Sequence, residues 1–512
     1  MMVHPLRFVC YSMCLMTVLP LVGCSASGED ETPTATPDED STPTATPDGD
    51  STPTATPSAD GVGCPADNAS WTVGWLGCTD AASDGYVFFA PLRSTTSFLI
   101  DQYGRQVHTW PSTYMPGQAV HLLEDGSILR TGMVNNSVFK AGAAGGQLQL
   151  IEWDGTLSWN YTYSTTSHLT HHDAIMLPSG NVLALSWEVV SQSNAISMGR
   201  DPSTLSEGSL WNECVIELKI TGTTSAEVVW KWCMLDHVIQ DYDSAKDNYG
   251  DVAAHPERLD INYTGDGMGG MDTAGADWIH FNAVDYNADL DQIVLSSKYM
   301  SEIYVIDHST TTEEAASSSG GAYGKGGDFL YRWGNPQVYR ADGERVFYNQ
   351  HAVHWVEDGL PGAGRMMVFN NGNSRTDGRY STADEWTPSL NEDGSYGVLS
   401  SGAFGPEELT WRYKAATPTD LYADRISNAQ RLPNGNTLVV NGAYGKLYEV
   451  TTAGDVVWEY VNPVLGDSKV ASQGTSLGGQ DNSVFRAYWF DASFAGFEGR
   501  TLTTGNYLEE GR

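Results

Sequence analysis

Twelve histidines are spread along the 512-residue chain, and four of them recur at one place in a repeating pattern. His171 and His172 stand in Thr-His-His-Asp, His280 in Asp-Trp-Ile-His-Phe-Asn, and His351 in Asn-Gln-His-Ala-Val. Each lies a few residues ahead of a turn sequence. Neutral imidazole is a nucleophile and a general acid or base near neutral pH. Lys298 ends the run Ile293-Val-Leu-Ser-Ser-Lys298 that follows His280, so a cation joins the set. Several imidazoles and one ammonium suit a tetrahedral oxyanion group: one ring attacks, and the others with the cation hold oxygens or protonate a leaving group. The same rings also suit iron, copper or zinc. Residue chemistry alone leaves both readings open. His4, His108 and His308 fall outside the pattern, in the N-terminal leader or on outer strands and turns.

Two repeated units must position these side chains. The first is an apolar stretch followed by aromatic-x-aromatic after a Gly or acidic turn. It occurs at Gly104-Arg-Gln-Val-His-Thr-Trp110, Gly155-Thr-Leu-Ser-Trp-Asn-Tyr161, Ala226-Glu-Val-Val-Trp-Lys-Trp232, Gly327-Asp-Phe-Leu-Tyr-Arg-Trp333, Glu407-Glu-Leu-Thr-Trp-Arg-Tyr413 and Gly454-Asp-Val-Val-Trp-Glu-Tyr460. Alternating large residues after a tight turn signal a half-buried strand. The second unit is strand, turn, strand, as in His172-Asp-Ala-Ile-Met-Leu-Pro-Ser-Gly-Asn-Val-Leu183 and Asn428-Ala-Gln-Arg-Leu-Pro-Asn-Gly-Asn-Thr-Leu438. Its Ser-Gly and Asn-Gly pairs fit hairpin turns.

Two hairpins per unit, repeated radially, predict an all-β, six-bladed β-propeller with four-stranded antiparallel blades. Residues 85–110 supply part of one blade, and strands around 484–490 complete it and close the ring. Equivalent positions in different blades then face one axis, and the four histidines converge. Neighbours on a regular strand point to opposite faces. Only one of His171 and His172 therefore reaches the axis, unless the backbone there is irregular.

The composition limits the partners. Lys plus Arg total 27 against 64 Asp plus Glu, a formal charge of −37, which repels phosphate backbones and argues against nucleic acid. Residues 1–23 read as a lipoprotein signal peptide: Arg7 supplies the positive region, Phe8 to Val22 the apolar one, and Leu21-Val22-Gly23-Cys24 resembles a lipobox with Cys24 as the lipidated residue. Residues 24–62, with Thr-Pro-Thr-Ala-Thr-Pro three times, read as an extended Thr/Pro/Asp-rich tether. Residues 63–512 form the folded domain. Export and a lipid anchor on the bacterial envelope, periplasmic or at the cell surface, are expected. Four cysteines remain as two local pairs, Cys64 with Cys78 and Cys214 with Cys233, which an oxidising compartment joins as disulfides.

Several segments resemble bacterial arylsulfate sulfotransferases. They are His171 to Leu183, Asp277 to Tyr286 with Ile293 to Ser297, Tyr331-Arg-Trp-Gly-Asn-Pro336, Gln350-His351, and Val368-Phe-Asn-Asn-Gly-Asn-Ser-Arg375. The likeness spans roughly residues 80–495 and implies an exported six-bladed propeller. It also implies transfer of a sulfuryl group from a phenolic sulfate ester to a phenol through a sulfohistidine, independent of PAPS, with no cofactor and no metal. By this resemblance His351 is the nucleophile, His280 and Asn282 form the His-x-Asn site pair, and His171 or His172 is a further active-site histidine. Ser427, at the register of His351 in a later unit, is expected as a polar wall of the site. The chain departs from the family at Lys298, where Arg is common; Lys keeps the charge and loses the planar fork that grips two oxygens. The rival readings are a histidine-ligated metalloenzyme, a non-catalytic binding propeller on the cell surface, and a sulfatase-like hydrolase.

Overall fold

The computed structural model describes Cys64 and residues 70–205, 208–265 and 276–511, all within the unit Gly61–Arg512. The expected signal peptide, Cys24 and the tether lie outside the described residues. Among those described, no helix is long and apolar enough to cross a membrane.

Strands dominate, in a propeller-like arrangement of four-stranded antiparallel sheets. Val484–Phe490 pairs with Tyr86–Pro91, which continues to Thr96–Asp101 and Gln106–Pro111. The C-terminal strand thus completes the sheet that the first repeat begins, as expected. Phe281–Asn287, Gln292–Ser297, Glu302–Asp307 and Tyr331–Trp333 form another sheet, and His351–Trp355, Met366–Asn370, Thr382–Trp386 and Trp411–Tyr413 a third.

The sheets do not all hold four strands. Asn428–Arg431 begins a run that ends at Val456–Val461 and gains Gly74–Cys78 as a fifth strand. Two runs of four, Pro116–Leu122 to Leu157–Thr162 and His168–Met176 to Ser225–Cys233, are joined as eight strands by a single parallel bridge between Gln118 and His172. Both expected disulfides are formed, Cys64–Cys78 and Cys214–Cys233.

The two repeated sequence units have separate jobs. The hairpin unit supplies the first two strands of a run, and the aromatic unit supplies the last. Its aromatic residues fill the space between neighbouring sheets: Trp333 stacks on Trp386 at 4.8 Å, and Trp110 meets Trp153, just past the end of a strand of the next run, edge-on at 5.3 Å. Trp110, Trp159, Trp232 and Trp386 are almost wholly buried. Rings of this size dominate core energetics, and truncating one to Ala costs about 3–5 kcal/mol.

Polar pins between sheets set the angular register. Asp173 accepts from the Val284 amide at 3.2 Å, Asp285 from the Trp355 amide at 2.9 Å, and Asn428 from the Ala487 amide at 3.1 Å. Each of these acceptors belongs to the first strand of its run and reaches the first strand of another sheet. The rigid frame at the axis is therefore hydrogen-bonded as well as packed.

Candidate active site

His171 and His172 lie within His168–Met176, His280 immediately precedes Phe281–Asn287 and His351 opens His351–Trp355, each beside a break in its ladder. The pairing of Ala184 with Ala174 shifts before Ser186 meets Thr170, and the residues between include His171 and His172. Register shifts also follow Phe281 and His351 in their sheets. His172 and His280 take left-handed backbone at φ 48° and 58°, and Ala352, beside His351, takes φ 60°. Bulges bend a strand and re-aim its side chains. These defects turn the histidines toward one another.

His172 and His280 meet with ring centroids 4.6 Å apart, nearly perpendicular. His172 is the member of the pair that faces the cluster. The His171 ring stacks on Trp187 at 3.9 Å, and its Nδ1 lies 2.9 Å from Nδ1 of His172. On its far side His171 Nε2 is 3.0 Å from a Glu213 oxygen, at an angle too poor for a hydrogen bond. The other Glu213 oxygen accepts from the Trp187 indole and the Phe281 amide, both at 2.9 Å. His171 therefore acts from behind His172.

His280 is backed by Asp277, whose Oδ2 lies 2.5 Å from its Nδ1. Burial pushes the Asp277 carboxyl up to about 7, although His171 and Lys298 pull the other way. His351 is backed by Asn371, whose Oδ1 lies 2.7 Å from its Nδ1. Burial, joined by the charges of neighbouring cationic groups, holds His172, His280 and His351 well below the ordinary imidazole range. Lys298 is also lowered, first by burial. It lies over the Tyr299 ring at 5.3 Å, and Tyr299 in turn packs at 4.8 Å from the ring of His280. Lys298 makes no ion pair with a carboxylate among the described residues. His172, His280, His351 and Lys298 thus feel one another's charge, and their outward nitrogens carry no hydrogen bond among the described residues.

Asn282 and Ser427 lie in the wall of the cluster. Both are fully buried. Asn282 donates from Nδ2 to the Gln350 carbonyl at 2.8 Å, holding the residue before His351. The Ser427 hydroxyl accepts from the Gly442 amide at 3.0 Å. Each of these bonds braces backbone in the cluster's wall.

The Tyr331-Arg-Trp-Gly-Asn-Pro336 segment is also a brace. Arg332 forms a fully buried pair with Glu302 at 2.5 Å, and Asn335 donates to the Met300 carbonyl at 2.9 Å. Gln350 donates to the Ser297 and Glu302 carbonyls at 3.0 and 2.8 Å. These bonds fasten the Lys298 turn to the entry of the His351 strand.

Sequence reasoning missed Asp277, Glu213, Asn371 and Arg486 as parts of the site. Arg486 pairs with Asp173 at 2.7 Å and donates to the Asn282 carbonyl at 2.9 Å. Burial works against the Asp173 carboxylate, yet Arg486 and His121 together hold it down at about 2. The signal that was available is polarity in an apolar run: Glu213 stands in Trp-Asn-Glu-Cys-Val, and Arg486 in Val-Phe-Arg-Ala-Tyr. A separate cavity of about 940 Å³ is lined by residues such as Leu122, Glu124, Met176, Glu357 and Trp489, at the other ends of the inner strands.

Among the described residues, the grouping of three metal-type ligands within 4.8 Å of one another is Glu188, Cys214 and Cys233. The two sulfurs there are joined to each other, so they offer no thiolate. The histidine cluster makes no such grouping.

The family model described as arylsulfotransferase (ASST) matches residues 93–476, most of the chain. The chain belongs to the arylsulfotransferase family. All four clustered histidines and Lys298 of this arylsulfotransferase fall inside the matched residues. No curated protein sequence matches the chain. Among solved structures, a Bacteroides caccae protein of unknown function is 13% identical, covers 79% of this chain and 98% of its own, and has a TM-score of 0.41. The Pseudomonas aeruginosa periplasmic gluconolactonase is 11% identical over 80% of this chain and 99% of its own, with a TM-score of 0.36. The Myceliophteria thermophila Cps50 β-propeller domain is 9% identical over 77% and 90%, with a TM-score of 0.34.

Proposed function

We propose that this arylsulfotransferase moves a sulfuryl group from a phenolic sulfate ester to an acceptor phenol through a sulfohistidine at His351, without PAPS or another diffusible cofactor. The observation that carries the reading is the convergence of three imidazoles and Lys298, with their outward nitrogens unengaged, in a chain of this family.

In the first half-reaction, the His351 lone pair attacks sulfur. The N–S bond forms, the S–O(aryl) bond breaks, and its electron pair leaves on the phenolic oxygen. Lys298 and His172 face the sulfuryl oxygens, where a cation and an N–H stabilise growing negative charge. His280 protonates the departing oxygen from Nε2, while the Asp277 carboxyl supplies a proton to Nδ1. A carboxyl near 7 beside a buried imidazole can hold that proton at neutral pH. In the second half, the acceptor phenol returns a proton by the same route, its oxygen takes the sulfuryl group, and the N–S electron pair returns to His351.

The propeller is read as six-bladed, with the eight-stranded sheet counted as two blades because only one residue pair, Gln118 with His172, joins named strands of its two halves. The same reading keeps the exported, lipid-anchored placement through Cys24. Assay with 4-nitrophenyl sulfate, with and without phenol, tests the function. Acceptor-dependent nitrophenolate release that vanishes in His351→Ala is expected. Release independent of phenol would mean a hydrolase, and full transfer by His351→Ala would refute the nucleophile.

A further inference from the structure

We infer that Asn371 is a positioning residue that fixes which nitrogen of His351 reacts, and that keeps the sulfated ring a good leaving group. The inference rests on the reading that His351 carries the sulfuryl group.

An asparagine amide can be turned either way, and its orientation has to be deduced from its partners. Here the partners decide. Asn371 Nδ2 lies 2.9 Å from the Ala423 carbonyl and 3.1 Å from that of Ile426. Both are acceptors only, so the end facing them is the NH2. The other end, Oδ1, therefore faces His351 Nδ1 at 2.7 Å as an acceptor. A second acceptor, the Asn349 carbonyl, lies 3.2 Å from the same nitrogen.

Neither oxygen can donate, so Nδ1 must carry the hydrogen. In the neutral ring the lone pair is then on Nε2. Burial and the Lys298 charge favour the neutral ring. The reactive tautomer is thus built into the fold before substrate arrives.

The scaffold that enforces this is stiff. Asn371 is fully buried. The Asn349 carbonyl is held by its own residue, whose amide donates to Ser301 at 2.9 Å and whose Nδ2 donates to the Lys298 carbonyl at 2.8 Å. Gln350 is pinned to the neighbouring sheet as described above. His351 has little freedom to turn over and present Nδ1.

A chemical consequence follows in the second half-reaction. When Nε2 bonds to sulfur and Nδ1 keeps its hydrogen, the ring becomes an N-sulfoimidazolium. Its positive charge lies against two oxygen acceptors, and the ring leaves as neutral imidazole when phenol attacks. Were Nδ1 to lose its proton, the leaving group would be an imidazolate, which is far poorer. Asn371, a neutral acceptor, holds this proton without removing it. A carboxylate at the same place would compete for it.

Three measurements test the inference on the full chain. Nitrogen-15 histidine spectra of the unmutated protein should show the His351 ring with Nδ1 protonated and Nε2 bare. A ring protonated on Nε2 alone overturns the proposal outright, whether or not any variant folds. Stopped-flow release of 4-nitrophenolate should slow about 10- to 100-fold in Asn371→Leu, the scale of loss when a partner that orients a metal-bound histidine is removed. In Asn371→Asp the burst should persist while turnover with phenol falls, so that sulfated protein accumulates. A folded Asn371→Leu with an unchanged burst, in a protein whose His351→Ala variant is inactive, overturns the role of Asn371 and leaves His351 standing. An active His351→Ala variant overturns the underlying function instead.

Discussion

The Nδ1 atoms of His171 and His172, neighbours in the chain, lie 2.9 Å apart. On a regular strand these side chains would point to opposite faces. They meet because His172 sits in a bulge at φ 48°. The left-handed backbone costs about 1–2 kcal/mol for most residues, and Asn tolerates it best after Gly.

Substitutions at this position should therefore separate chemistry from folding. His172→Asn should unfold at nearly the wild-type temperature yet lose at least about 100-fold in transfer, the range expected for a missing acid–base or donor imidazole. His172→Val should lose the same activity and a further 1–2 kcal/mol or so of stability. Thermal melts and steady-state rates on both variants check this; equal melting temperatures would contradict the backbone argument.

The pH profile follows from the buried rings. A nucleophilic imidazole works unprotonated, so activity is present above its pKa and is lost as pH falls through it. His351 is held well below 6.5 by burial, with Lys298 and His280 adding to the shift. The acid limb of kcat/KM with 4-nitrophenyl sulfate should accordingly lie well under pH 6.5. A midpoint at or above 6.5 would mean that His351 is solvated or is not the attacking group.

Asp277 should matter in proportion to the basicity of the leaving group. 4-Nitrophenolate departs readily without a proton, whereas simple phenolate needs one. Asp277→Asn should slow transfer from 4-nitrophenyl sulfate by less than about tenfold, and from phenyl sulfate by about 100-fold or more. Equal losses for the two donors would remove the His280–Asp277 pair from proton transfer.

Lys298 offers a test of charge against shape. Lys298→Ala should cost about 100- to 1,000-fold in kcat, as does the loss of one group aimed at developing negative charge. Lys298→Arg should retain activity or raise it, because the planar fork can reach two sulfuryl oxygens. Kinetics of the two variants side by side decide the matter, and an inactive arginine variant that folds would show that ammonium geometry is essential.

A structural histidine makes an independent prediction about stability. His308 lies between Asp291 at 2.7 Å and Glu217 at 3.0 Å. Burial opposes its charge, but the two carboxylates raise its pKa above 6.5. A raised pKa means that the contribution is full below pH 6.5 and is lost as pH rises through the folded value. His308→Gln should therefore be destabilised by about 1–2 kcal/mol in mild acid. The gap in urea midpoint should close in alkali, and a gap that widens there would reverse the assignment.

Much of this arrangement was legible in the sequence, for definite reasons. The aromatic-x-aromatic units mark the last strand of each run because those rings must fill the wedge between sheets. The histidines announced themselves by recurring ahead of hairpin turns. What could not be read was anything set by a bulge or by a second segment. His171 and His172 share a side only because the ladder breaks there. Asp277 and Asn371 serve His280 and His351 from outside the hairpin register, and Arg486 arrives from the far end of the chain. Asn282, expected at the site from the family likeness, and Ser427, expected there from the register of His351, each hold backbone in the wall through a bond that no pattern in the sequence announces.

The proposed function rests above all on covalent sulfation of His351 during turnover. Rapid quenching after mixing with 4-nitrophenyl sulfate alone, then mass mapping, tests it directly. One added sulfuryl group is expected on the peptide that contains His351, discharged when phenol is added before the quench. Nitrophenolate release with every histidine-containing peptide unmodified, or with the group on a different residue, would contradict it.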